Sequence, residues 1–247
     1  RFADAARNNN VCWSTANQLA DALEECASRG LRVAVLASDL EGHWFEHAWL
    51  TDLLAGLNGE PTTGEGMGWF RALDALSKGP VVTIAAITGD TCGGGCELGW
   101  ACDLRVAERQ ARFAQPEVHL GIPPGVGGVS RLASLVGRSL AGEMVFDGGW
   151  TSAERLYHGG AINRLVETGE GLETALAWAR ELAGRPAEAL AACKRILSDA
   201  QELPLSDAVM NEQKVFQTVA PGDEARRLMA EQQAAYDAGE QISDAFD

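Results

Sequence analysis

The stretch from Val81 to Glu117 constrains the fold of this chain more than any other. Val81-Val82-Thr83-Ile84-Ala85-Ala86-Ile87 is apolar except for Thr83, and a run this short and rich in branched side chains reads as a strand buried on both faces. It leads to the triplet Gly93-Gly94-Gly95 and then to a helix-compatible stretch, Glu97-Leu98-Gly99-Trp100-Ala101. The first amides of a helix have no acceptors within it, and with the helix dipole they attract negative charge. Glu97 follows the triplet by two residues, and Glu117, in Gln115-Pro116-Glu117, comes twenty positions later. Amide donors beside two carboxyl groups suit chemistry next to a carbonyl, where an oxyanion develops while an acid and a base move protons.

Other readings of these residues are weaker or blander. No Lys-Ser/Thr follows the glycines as a phosphate-binding loop requires, and no G-x-G-x-x-G with a later acidic ribose ligand is present. The triplet also fits close helix packing, and Glu97 or Glu117 alone fits a first-turn acid. Gly137-Arg138-Ser139-Leu140-Ala141 approaches a nucleophile elbow but lacks the final glycine and follows a helical pattern. Trp100 and Phe113 read as core. His43, His47, His119 and His158 read as surface or loop residues, although His47 and His119 lie close to the motifs.

Around this unit the chain alternates strands and helices. Residues 14–28 show helical spacing with Ser14 or Thr15 as a cap; Leu31–Ala37 reads as a strand; 47–57 and 66–76 read as helices; Leu104–Ala107 is a further strand. A Gly/Pro-rich turn spans 121–128. From about residue 171 only helical patterns remain, over 172–182, 187–197, 206–219 and 223–236. The expectation is an α/β fold with crossover connections and a helical C-terminal segment.

The 247 residues are 46% hydrophobic, enough for a substantial core. A formal charge of −15 argues against nucleic acid or an anionic membrane surface as the partner. No apolar run approaches the roughly 20 residues that cross a bilayer, and the N-terminal residues lack the order of a signal peptide, so a cytoplasmic setting without membrane insertion is expected. Cys12, Cys26, Cys92, Cys96, Cys102 and Cys193 are scattered and read as reduced thiols, and neither they nor the histidines show metal-ligand spacing.

The segments Ile84–Gly89, Gly93–Leu98, Ala101-Cys102-Asp103-Leu104, Phe113–Glu117 and Leu120–Gly125 together resemble the crotonase (enoyl-CoA hydratase/isomerase) superfamily. Asn10–Leu19 is similar to the entry into the family's first helix and Trp150–Val166 to a helix-strand unit, with the first strand shortened or absent at Arg1-Phe2. The resemblance implies a crotonase-like spiral of β-β-α units over 1–185 that carries the active site. It also implies a helical region over 186–247 that packs trimers, often paired into hexamers.

By the same resemblance, an acyl-CoA thioester oxygen is held between two backbone amides. Gly94 carries one, and in Phe45-Glu46-His47-Ala48-Trp49-Leu50 the other falls to Trp49, with Leu50 in place of the usual aspartate. Glu97 is then the base that activates water and Glu117 the acid that protonates the α-carbon, giving syn hydration of a trans-2-enoyl-CoA. Substrate contacts fall to Ala48, Met67, Phe70, Gly93, Trp100, Val118 and Gly125, and CoA phosphate contacts to Arg7, Lys194 or Lys214. No cofactor or metal is implied, because coenzyme A is part of the substrate. The alternatives are a Δ3,Δ2-enoyl-CoA isomerase, another crotonase-type acyl-CoA enzyme, or a non-catalytic acyl-CoA binding protein.

Overall fold

The computed structural model describes residues 1–239. The helical spacing near the N-terminus folds as α1 (Trp13–Ser28), which buries Thr15, Ala16, Ala20 and Leu23. Neither Ser14 nor Thr15 caps it. Cys12 holds the N-cap position, and the Trp13 amide donates instead to the Asp52 carboxylate at 2.7 Å, which also accepts from the Thr63 amide at 2.8 Å. One buried side chain thus ties the start of a helix to two later segments.

After β1 (Val33–Ala37), helix α2 (Leu50–Asn58) starts three residues later than its pattern suggested. Val11 donates to the His47 carbonyl and accepts from the Trp49 amide, both at 2.9 Å, so 47–49 is held extended by a distant segment. Next come α3 (Met67–Lys78), β2 (Val82–Ile87), β3 (Thr91–Cys92) and α4 (Gly94–Ala101). Helix α4 begins inside the glycine triplet, earlier than the polarity of Glu97 implied. The chain continues through β4 (Leu104–Glu108), β5 (Arg112–Ala114), a 3-10 turn at Pro116–Leu120, and α5 (Ser130–Asp147), which is broken at Gly137 (φ 76°, ψ 164°). Then follow β6 (Thr151–Ser152), α6 (Ala153–His158), β7 (Arg164–Val166) and α7 (Gly171–Ala183).

The apolar run at 82–87 lies second in a parallel four-stranded sheet of order β1-β2-β4-β7, with Ile84 paired to Val35 and Leu104. All six β2 residues are buried, as the lack of alternation in their sequence required. A second sheet, β3-β5-β6, is built from strands of two or three residues, too short for periodicity to show them. One core cluster packs Trp44, Trp69, Leu76, Ile87, Leu98 and Phe113 together, and each large side chain removed from water contributes about 2 kcal/mol. A second cluster holds Ile84, Ala86 and Val106 against Leu172, Trp178 and Leu182 of α7.

The far end of α4 is fixed by Arg105, whose buried guanidinium donates to the carbonyls of Gly99 (3.1 Å), Cys102 (2.6 Å) and Ala161 (2.5 Å). It satisfies carbonyls that a helix end leaves without partners. Residues Arg1–Gly184 form one compact unit, and a second begins at Arg185 and contains α8 (Ala187–Glu202), α9 (Leu205–Val219) and α10 (Asp223–Asp237). The last residues of the expected 186–247 helical region, 240–247, lie outside the described residues. Among the described residues no helix is long and apolar enough to cross a membrane.

Candidate active site

The site is assembled on the first turn of α4. Gly93 turns the chain at φ 49° and ψ −121°, a conformation that disfavours any side chain, and its amide is spent on the Ala114 carbonyl at 2.9 Å. The Gly94 amide opens the helix and has no acceptor among the described residues. Segment 45–48 lies directly on this turn. A Cβ at Gly94 would sit 3.2 Å from the Ala48 nitrogen and 2.7 Å from Trp69 Cη2, and one at Gly95 would overlap the Phe45 carbonyl.

A glycine contrast within α4 tests this packing. Gly95→Ala should lose about 3 kcal/mol, or roughly 6–12 °C in thermal midpoint, because a backbone carbonyl cannot step aside. Gly99→Ala, whose Cβ would meet only Trp44 and Ile87 side-chain atoms at 3.4 Å or more, should leave the midpoint unchanged or higher.

The second amide differs by one residue from the sequence expectation. The Trp49 N–H donates to the Val11 carbonyl at 2.9 Å and so is not free for a ligand. The Ala48 N–H has no hydrogen-bond partner among the described residues and lies against Gly94. The unspent pair is therefore Ala48 and Gly94. The shift arises because the bridge to Val11 engages alternate residues, 47 and 49, and leaves 48 facing the other way.

Both glutamates are buried, each 3% exposed. Glu97 Oε1 accepts from the Val126 and Gly128 amides, each at 2.8 Å, which fixes its carboxyl while Oε2 accepts no bond among the described residues. Burial pushes the Glu97 carboxyl above the usual range, and the two amides, with His47 and Arg131, oppose that shift. Glu117 is raised too, by burial and then by the charge of Glu97. When the Gln115 amide is oriented to satisfy both of its ends, its NH2 donates to both Glu117 oxygens at 3.1–3.2 Å and its oxygen accepts from Trp100 Nε1 at 3.3 Å. Burial also pushes the Cys92 and Cys96 thiols up, which keeps them protonated.

A carboxyl raised on folding binds its proton more tightly when folded. Its stabilising contribution is complete below the unfolded pKa and is lost as pH rises through the raised folded value. Glu97→Gln keeps an oxygen for the two amides and removes the ionisation. Its thermal midpoint should therefore match the wild type near about pH 4, around the ordinary glutamate pKa, and exceed it in neutral and mildly alkaline buffer. A midpoint difference independent of pH would refute this account.

The other expected contacts are dispersed. Trp100 is buried and stacked on Phe113 with centroids 5.6 Å apart, so it supports Gln115 from beneath instead of lining a surface pocket. Met67 and Phe70 are 62% and 57% exposed on the outer face of α3. Val118 borders an apolar cavity of about 690 Å³ with Ile122, Pro124, Val129 and Phe146. Gly125 is exposed, and it is its neighbours Val126 and Gly128 that reach Glu97.

Arg7 is paired with Asp4 at 2.8 Å, its guanidinium carbon 5.7 Å from the centroid of the Trp49 ring. Lys214 is exposed on α9, whereas Lys194 on α8 is buried, 3% exposed, and has interactions of its own, which removes it as a surface cation for a phosphate. Gln115, the 126–128 amides and His47 escaped the sequence reading as site groups. Only the Gly/Pro turn and the nearness of His47 to the motifs signalled them.

The chain is similar in sequence and fold to known proteins. The family described as Enoyl-CoA hydratase/isomerase matches residues 1–236. The chain is 37% identical over 147 residues to a short-chain-enoyl-CoA hydratase of Clostridium acetobutylicum, covering 60% of this chain and 55% of that protein. It is 40% identical over 152 residues to a 2,3-dehydroadipyl-CoA hydratase of Escherichia coli, covering 62% and 58%. These matches thus span little more than half the length of either relative. A carnitinyl-CoA dehydratase of Salmonella typhimurium is 38% identical over 178 residues, covering 72% and 67%. Among solved structures, the fold is similar to an enoyl-CoA hydratase subunit I from Geobacillus kaustophilus (TM-score 0.85, 28% identity, 97% of this chain and 91% of that one). It is also similar to an enoyl-CoA hydratase from Polaromonas sp. JS666 (TM-score 0.84, 25% identity, 96% and 92%). With the family pattern running from Arg1 through α10 and the fold shared almost end to end, this chain belongs to the enoyl-CoA hydratase/isomerase, or crotonase, family.

Proposed function

We propose that the protein is an enoyl-CoA hydratase, adding water reversibly to a trans-2-enoyl-CoA thioester. The observation that carries this reading is the gathering of two buried carboxyls, Glu97 on the first turn of α4 and Glu117 beside His47, around the unspent amides of Ala48 and Gly94. Three relatives named as hydratases or a dehydratase of CoA thioesters support it.

The two amides hold the thioester oxygen as charge moves onto it, helped by the α4 dipole, and removal of one such donor typically costs about 3–4 kcal/mol. Glu97 Oε2 takes a proton from water while the water oxygen bonds to the β-carbon. Glu117 gives its proton to the α-carbon and the enolate collapses to the thioester. H and OH then reach one face, and passage of the proton from Glu97 to Glu117 resets the site.

Arg7, beside Trp49, is the remaining core-unit candidate for a CoA phosphate. The reading needs no cofactor beyond the CoA of the substrate, and it includes assembly as a homotrimer or a pair of trimers. Loss of the conjugated enoyl-thioester absorbance, followed on trans-2-enoyl-CoA substrates of increasing chain length, tests the reaction. Failure on every length, with conversion of 3-enoyl-CoA substrates instead, would replace the hydratase by an isomerase.

A further inference from the structure

His47 stands in the site with one ring nitrogen anchored and the other unused. Its Nδ1 lies 2.9 Å from the Ala48 carbonyl, which can only accept, so Nδ1 carries the hydrogen. In the neutral ring Nε2 is then an acceptor. Nε2 is buried and has no hydrogen-bond partner among the described residues, while the side chain as a whole is 12% exposed. The ring edge lies over Gly93, where an added Cβ would fall 2.8 Å from Nε2.

The nearest carboxylate atom is Glu117 Oε1, at 3.8 Å. That is too long for a hydrogen bond, but it is the separation of two atoms that each lie about 2.8 Å from a shared oxygen, at about 90° to one another. We infer that His47 is a third catalytic group of this site, whose Nε2 accepts a hydrogen bond from the reacting water and, in the reverse direction, from the 3-hydroxyl of the product.

This rests on the hydratase reading. It supplies a further neighbour to that water, which donates one hydrogen to Glu97 Oε2 and the other to His47 Nε2. The water accepts from protonated Glu117 and turns its last lone pair to the β-carbon. As the O–C bond forms, the hydrogen facing Glu97 leaves as a proton to that carboxylate. The hydrogen facing His47 stays on the oxygen and becomes the hydroxyl hydrogen. His47 is neither protonated nor deprotonated in the cycle; it selects which hydrogen departs.

The test separates chemistry at the β-carbon from chemistry at the α-carbon. Exchange of the α-protons of butyryl-CoA with deuterated solvent uses the amides and Glu117 but no β-oxygen. His47→Phe, which keeps a ring of similar size, should lower kcat for crotonyl-CoA hydration by about tenfold or more and leave α-exchange within about twofold. His47→Gln, which restores an acceptor, should recover much of the hydration rate. Equal loss of both reactions in His47→Phe, or no loss of hydration, would overturn the role. A wild type that exchanges α-protons yet hydrates nothing would overturn the hydratase reading itself, and with it this assignment.

Discussion

Glu97→Gln and Glu117→Gln should each lower the hydration rate by about 10²–10⁴-fold, the range for loss of a positioned acid or base. The two variants should differ in what survives. Glu97→Gln keeps the oxygen that receives the Val126 and Gly128 amides, so the loop stays in place and only the capacity to take a proton from water is lost. Exchange of α-protons in a saturated acyl-CoA, which needs only Glu117 and the amide pair, should persist. Glu117→Gln should abolish both reactions. Since the two carboxyls act on one water, the double variant should be little worse than the worse single one. An isomerase that moves a proton with Glu117 alone would be nearly indifferent to Glu97→Gln, and retention of full hydration by either variant would remove these residues from the mechanism.

The second large effect is expected from single backbone atoms. Replacing the amide N–H of residue 48 by an ester oxygen, through semisynthesis, should cost about 10²–10³-fold in kcat, the loss found when one donor to a developing oxyanion is removed. The same exchange at residue 49 should cost stability of about 1 kcal/mol, because the Trp49 N–H is bonded to Val11, and since it also weakens the Ala48 carbonyl that anchors His47 its loss of rate should be about tenfold at most, well short of that at residue 48. The reverse pattern would restore Trp49 as the donor. Activity and thermal midpoint measured on the two esters decide between adjacent residues that side-chain substitution cannot separate.

That one-residue shift marks the limit of what the sequence made legible. Long periodic segments were clear: the buried run at 82–87 and the helical patterns after residue 171 appear as β2 and α7 to α10. Strands of two or three residues carry no period to read, so the sheet β3-β5-β6 stayed hidden. Glu97, Glu117 and Gly94 could be singled out because residue type and spacing are visible in a sequence. The free amide at Ala48 could not, because which of residues 48 and 49 is bonded is decided by Val11, which lies far away in the chain and contributes only backbone atoms. The 126–128 amides were obscured for the same reason: a peptide N–H leaves no mark on residue identity. His47 was visible but looked ordinary, since only the anchoring of Nδ1 and the burial of Nε2 distinguish it from a loop histidine.

The contact between α4 and segment 45–48 has a consequence for how such a site can change over evolutionary time. At Gly95 an added Cβ would meet only backbone atoms of Phe45 and Glu46 as its nearest neighbours, and at Gly94 the Ala48 nitrogen lies 3.2 Å from one, so the gap between the two free amides is gauged by a peptide-to-peptide distance. Point substitutions can swap the acids, reshape the apolar cavity beside Val118 or replace His47 while that gauge stays the same. Altering it requires adding or removing a residue in the 45–49 segment, which would also turn a different amide toward Gly94. A lineage built on this scaffold can therefore exchange its acids by single codon changes, whereas the spacing of the two amides is inherited as a length of chain.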